Sequence, residues 1–222
     1  QAGCRRTPLN TSKLVYSIIL AAVLGLLATT SVLSAEELPD YPQIAVETSA
    51  GNFTIELFYG RAPLTVRNFV DYVESGFYEG MVFHRVMAGF VIQAGGYDTD
   101  YKKKPTQALV PNESGNGLSN RRGSIAMART TEPHSANSQF FINLGDNLEL
   151  DPRPTRWGYT VFGRVTEGMD AVDQIGYVAT GPGPIPELVK DVPIDAVVIT
   201  RMMLLNKQEA EVLDDMGDTV NP

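Results

Sequence analysis

The feature that most limits how this chain can fold is a two-residue rhythm broken by glycine. Gln43 to Thr48 and Phe53 to Phe58 alternate apolar and polar residues, as a strand with one buried face requires. Ala50-Gly51-Asn52 lies between them and reads as a hairpin turn. Short β-like runs recur at Val82–Val86, Phe90–Gln93, Ser124–Ala128, Gln139–Ile142, Thr160–Val165 and Ala196–Leu205. Two stretches change period. In Ala62 to Ser75, Val66, Phe69, Val70 and Val73 fall at helical spacing, with Pro63 early and Gly76 just beyond. Thr166 to Ile175 reads as a shorter helix with Thr166 as its candidate cap. Many short strands, Gly-rich turns and two helices predict a mainly β domain closed into a barrel.

Charge and hydropathy divide the chain into four parts. Arg5, Arg6 and Lys13 precede an uncharged apolar run, Leu14 to Leu33, and Leu33-Ser34-Ala35 resembles a cleavage site. Residues 1–35 are therefore read as a signal peptide, with a retained membrane anchor as the alternative. In either case the domain is expected to be exported: periplasmic, or anchored to the inner membrane and facing the periplasm. Residues 36–42 form a linker, 43–205 the folded domain, and 206–222 an acidic tail. Three segments are expected as loops: the polar Tyr97–Ser119, with Lys102-Lys103-Lys104 read as solvated; Gly145–Gly158; and the proline-rich stretch from Gly181 to Pro193.

The residue inventory excludes several chemistries. With a net charge of −8 over 222 residues there is no basic footprint for nucleic acid. One cysteine, Cys4, leaves no disulfide framework, and two histidines, His84 and His134, make no His-rich metal site. His84 is read as a hydrogen-bonded structural residue and His134 as a solvated loop residue. No motif pairs a serine with either histidine, which disfavours a hydrolase. What remains is FHRVMAGFVIQAGG (Phe83–Gly96) and NSQFFINL (Asn137–Leu144). Each sets polar side chains that direct hydrogen bonds (Arg85, Gln93, Gln139) among aromatic and apolar ones. That composition describes an apolar pocket with a few fixed donors and acceptors. By alternation, Phe83 and Phe140 face the core, while Phe90 and Phe141 are candidates for the pocket or for plain core.

These two motifs, with GSIAMAR (Gly123–Arg129) and YTVFGRVTEGMDAVDQI (Tyr159–Ile175), resemble the cyclophilins, peptidyl-prolyl cis–trans isomerases. The pattern is most similar to the bacterial periplasmic branch. The resemblance runs from Gln43 to Leu205. It implies a closed eight-stranded antiparallel barrel capped by two α-helices, behind the N-terminal apolar helix of the signal or anchor. It also implies a surface groove as active site, no cofactor, no metal, and proline-containing polypeptides as substrates of a monomer. Arg85 matches the catalytic arginine. Phe90 and Phe141, with Leu150, match the proline pocket; Val91 stands where many relatives have methionine. Gln93 and Gln139 match the amides that bind the peptide backbone. Met127 and Ala128 line the groove, Arg129 stands where asparagine is frequent, and Tyr159 where histidine is frequent. Arg129 is read either as groove lining or as a salt-bridge partner. Glu149 falls at the position of an aromatic that cyclosporin uses, so weakened cyclosporin binding is expected. Glu149 also motivates an alternative function, a non-catalytic proline-peptide-binding or chaperone module.

Overall fold

The structure, a computed structural model, describes residues 38–205. The signal or anchor segment, the start of the linker and the acidic tail lie outside the described residues. Within them, the rest of the linker joins the domain: Leu38 packs on the core, and the Asp40 and Pro42 carbonyls accept from Tyr59 N and Leu57 N.

Strands β1 (Gln43–Thr48) and β2 (Gly51–Leu57) pair antiparallel, each burying every second side chain. Thr48 opposes Gly51, so the turn is Ser49-Ala50, slightly earlier than the sequence suggested. Gly51 follows the turn with φ +119, and a Cβ there would meet Ala171 Cβ at 2.8 Å. A side chain would collide with that neighbour. Helix α1 (Pro63–Glu74) follows. It buries Val66, Phe69, Val70 and Val73, the face its spacing predicted. Gly76, at φ +67, ends it. No side chain of its own caps its N-terminus. Glu113, from the distant polar loop, does so instead, accepting from Leu64 N, Thr65 N and Thr65 Oγ1.

Strands β3 (Arg85–Met87), β4 (Val91–Ala94), β5 (Ser124–Met127), β6 (Phe140–Asn143), β7 (Val161–Glu167) and β10 (Ile199–Leu204) complete an eight-stranded sheet. Its order is β10-β1-β2-β7-β5-β6-β4-β3, every pairing antiparallel. The sheet curls around the side chains of α1, and Phe69 meets Phe140 and Phe162 at ring distances of 5.4 and 5.1 Å. Phe140 is in this core, as its alternation with Phe141 predicted; Phe83 is there too, but not through alternation, since it is two residues from Arg85 and precedes β3.

The expected closed barrel is corrected by the seam between β3 and β10. These two edges share no ladder. The segment before β3 crosses the gap through scattered bonds, Gly80 N to Ile199 O, Ile199 N to Met81 O and Phe83 N to Val197 O. Strand β3 has only three residues and adds none of its own to that seam, so the barrel stays open. The loop expected from Gly181 to Pro193 contains a small second sheet, β8 (Thr180–Gly181) with β9 (Val192–Pro193). There the Asp191 carbonyl accepts from Val86 N at 2.7 Å and covers the edge of β3. Helix α2 (Met169–Gly176) begins later than expected. Thr166 remains in β7, and Gly168, at φ +74, is the capping position. A Cβ at residue 168 would lie 2.3 Å from Asn52 O, so the chain can turn there only as glycine. The lysine run is not wholly solvated: Lys104 Nζ donates to the Phe77 and Glu79 carbonyls at 2.6 and 2.8 Å.

Candidate functional site

The pairing of β3, β4 and β6 places the polar side chains. Arg85 is directly across from Gln93, and Gln93 from Phe141. Residues directly opposite in a ladder share a face, so all three point to the same side of the sheet, away from Phe140, the neighbour of Phe141. A cavity of about 300 Å³ opens there. Arg85, Phe90, Val91, Gln93, Ala128, Arg129, Phe141, Leu150 and Tyr159 line it. Its floor is a small apolar cluster separate from the main core, built on Val91, Ala126, Phe141 and Val161, with Phe90, Leu150 and Tyr159 against it. The Phe141 and Tyr159 rings meet edge to face at 5.6 Å.

Two of the expected site residues do not line this cavity. Met127 is 2% exposed and belongs to the main core, because alternation along β5 turns it inward. Gln139 lines a neighbouring hollow of about 410 Å³ that shares Gln93, Ala128 and Arg129 with the first. Arg129 lines the cavity and makes no ion pair among the described residues. Its guanidinium sits 4.6 Å over the Tyr159 ring and donates to the Trp157, Gly158 and Thr130 carbonyls. It therefore fastens the loop before β7 to the groove wall. Glu149 is exposed and outside the cavity; Arg156 donates to its carbonyl.

A row of amides connects the polar groups. Arg85 Nη1 donates to Gln93 Oε1 at 3.3 Å, and Gln93 Nε2 donates to Gln139 Oε1 at 2.9 Å. Arg85 Nη2 also contacts Met87 Sδ at 2.7 Å. Arg85 pairs with no carboxylate among the described residues, which leaves N–H donors for a ligand. Behind the wall, His84 is 3% exposed; its Nδ1 has no partner, while the Val82 backbone and the Gln139 side chain act on the ring as hydrogen-bond partners. Burial holds its pKa down to about 4; hydrogen bonding to the Val82 backbone and the Gln139 side chain opposes this, and the Arg85 and Lys103 charges add to it. His134 is exposed, and its Nδ1 accepts from Asn112 N at 3.0 Å.

A buried amide network beneath the cavity was not anticipated. Asn147 Nδ2 donates to Phe90 O and to Asn143 Oδ1 at 2.9 and 2.7 Å. Asn143 Nδ2 donates to Ser124 Oγ and Asn120 Oδ1. Asn120 donates through N and Nδ2 to Asp151 Oδ1. The network ties the Phe90 turn, the end of β6 and the 3₁₀ turn Leu148–Leu150 into one support. Asparagines in NLGDN and LSN look like ordinary loop residues in sequence, and only the fold reveals that they meet. No group of His, Cys, Asp and Glu among the described residues is arranged to hold a metal ion.

Comparison with known proteins agrees with this geometry. Residues 43–203 match the family described as cyclophilin type peptidyl-prolyl cis-trans isomerase/CLD. Peptidyl-prolyl cis-trans isomerase A of Dickeya dadantii is 46% identical over 190 residues, covering 85% of this chain and 98% of the relative. Peptidyl-prolyl cis-trans isomerase B of Escherichia coli is 46% identical over 159 residues, covering 70% and 95%. Among solved structures, a Cryptosporidium parvum cyclophilin type peptidyl-prolyl cis-trans isomerase superposes with a TM-score of 0.61 at 23% identity. It covers 75% of this chain and 99% of that one. A second structure of it was determined in the presence of the dipeptide Ala-Pro, with a TM-score of 0.60.

Proposed function

The chain belongs to the cyclophilin-type peptidyl-prolyl cis–trans isomerases, and we propose that it turns X–Pro bonds in polypeptides folding after export, with Arg85 as the catalytic group. One observation carries the assignment of the site: Arg85, with N–H donors to spare, shares an apolar cavity with Phe90, Val91, Phe141 and Leu150.

Rotation about an X–Pro bond must break amide resonance, a barrier of about 18–20 kcal/mol, and takes on the order of tens to hundreds of seconds unaided. No covalent bond changes, so no nucleophile or acid–base pair is required. In the planar amide the prolyl nitrogen lone pair is delocalised; in the twisted state it is localised and accepts a hydrogen bond. The proline ring enters the apolar cavity, and Arg85 donates to that nitrogen as the bond turns. A contact made only in the transition state raises the rate. A hydrogen bond from a charged donor is worth roughly 1.5–3 kcal/mol, or about one to two decades at 1.36 kcal/mol each. Gln93 keeps the guanidinium aimed, while Gln139 holds the peptide backbone on one side. The cavity walls supply a weaker solvent for the polar planar amide than water does. The Ala-Pro dipeptide present with the Cryptosporidium parvum relative supports a proline-containing ligand.

The export assignment is supported by Arg5, Arg6 and Lys13 ahead of the apolar run Leu14–Leu33. Coupled isomerisation of an X–Pro peptide tests the activity, and turnover no faster than the spontaneous rate would refute it. Cell fractionation with N-terminal sequencing of the native protein tests export. A cytosolic protein retaining Leu14–Leu33 would overturn that part. The binding-only alternative predicts peptide affinity without turnover in the same assay; Glu149, which motivated it, stands outside the cavity.

A further inference from the structure

We infer that His84 is a positioning residue, whose ring behind the groove wall fixes the Gln139 amide and, through Gln93, the direction in which Arg85 offers its donors. This rests on the isomerase reading above.

His84 immediately precedes Arg85, yet its side chain is sealed from solvent and its Nδ1 has no partner. An unsatisfied ring nitrogen in a closed site carries an energetic penalty. The surroundings make it one wall of the amide row. Tyr97 packs edge-on to the ring at 5.0 Å. The backbone at Gly96 leaves the space in which the ring and the Gln139 amide pack together. A Cβ there would lie 2.8 Å from Gln139 Cδ, 3.0 Å from Gln139 Nε2 and 3.0 Å from His84 Cε1. Gln139 has one side-chain carbonyl, and Gln93 Nε2 occupies it at 2.9 Å. A protonated His84 would compete as donor for that carbonyl, and would set a second cation beside Arg85. A neutral ring carries one N–H instead of two and no charge, so it competes less for that carbonyl and sets no second cation beside Arg85. The charged groups that bear on it are Arg85 of β3 and Lys103 from the loop after β4, and both oppose its protonation. Burial acts in the same direction. The neutral ring therefore leaves Gln139 to Gln93 and Gln93 to Arg85.

The test separates this role from plain packing. In the wild-type protein, NMR would follow His84 Cε1 and the side-chain amides of Gln93 and Gln139 as pH is lowered. Both amides should shift with the midpoint of His84, about 4, and the shift should vanish in His84→Gln. Amides that do not follow His84 in the wild type, or that move identically in His84→Gln, overturn the inference. In peptide isomerisation at neutral pH, His84→Phe and Gly96→Ala should each lower kcat about tenfold with KM within twofold. Unchanged kcat with only a lowered Tm assigns His84 to packing and also overturns it. If His84→Phe does not fold, the wild-type titration still decides. If the wild type lacks isomerase activity, the reading of function fails, whereas the amide titration still tests the connection to Arg85.

Discussion

Asn147→Ala is the sharpest probe of what holds the groove open. The substitution removes two donated hydrogen bonds, to Phe90 O at 2.9 Å and to Asn143 Oδ1 at 2.7 Å. The two losses are unequal. Phe90 O keeps the bond from Leu144 N at 2.8 Å, so only a net contribution of about 1 kcal/mol disappears there. Asn143 is fully buried, and its side-chain oxygen is left without that donor, which costs about 1–3 kcal/mol. The sum is about 2–4 kcal/mol, a large share of the stability of an ordinary domain. Urea unfolding followed by tryptophan fluorescence measures it, with an unchanged m-value showing that only the native state was affected. Isomerase activity should fall too, because Phe90 and Leu150 are set by the same network. A loss below about 0.5 kcal/mol would refute the argument that these amides brace the cavity.

Three further outcomes follow from the structure. Glu113→Ala strips the N-terminus of α1 of its borrowed cap and should lower unfolding free energy by about 1–2 kcal/mol; chemical denaturation with no change would show that the cap contributes nothing. Asp191 holds φ +64, which aspartate tolerates and β-branched residues do not. Asp191→Val should therefore cost about 1–2 kcal/mol while Asp191→Gly costs almost nothing, and equal Tm values for the two would contradict this. His84 takes up its proton near pH 6.5 in the unfolded chain but only near 4 in the folded one. Between these values the unfolded state binds more protons, so the residue leaves stability intact above pH 6.5 and removes about 3 kcal/mol as pH falls to about 4. The wild-type stability curve should bend over that window relative to His84→Gln; parallel curves would disprove the coupling.

What the sequence disclosed depended on whether the determining signal was local. The strand rhythm, the buried face of α1 and the inward turn of Phe140 come from side-chain periodicity, which is local; the burial of Phe83, ahead of β3, does not. The cavity was legible because alternation from Arg85, Gln93 and Phe141 fixes one face, and because the motifs resemble a known family. Seam and supports were not. Whether β3 meets β10 depends on how far the curled sheet travels, which no single segment encodes. Glu113 caps a helix 48 residues away in sequence, and Asn120, Asn143 and Asn147 meet only after their strands and turns are assembled. Met127 turns into the main core because alternation along β5 sets it on the opposite face from Ala126, which the family resemblance by itself does not reveal. Thr166 was read as a cap by residue preference, whereas the close approach of Asn52 O demanded glycine at residue 168.

The most direct test is isomerisation of an X–Pro peptide by Arg85→Ala beside the wild type, with peptide affinity measured on both. A guanidinium that acts only on the turning bond predicts kcat/KM lower by about one to two decades with affinity within a few-fold. Turnover equal to the wild type, with the cavity otherwise unchanged, would contradict the role given to Arg85.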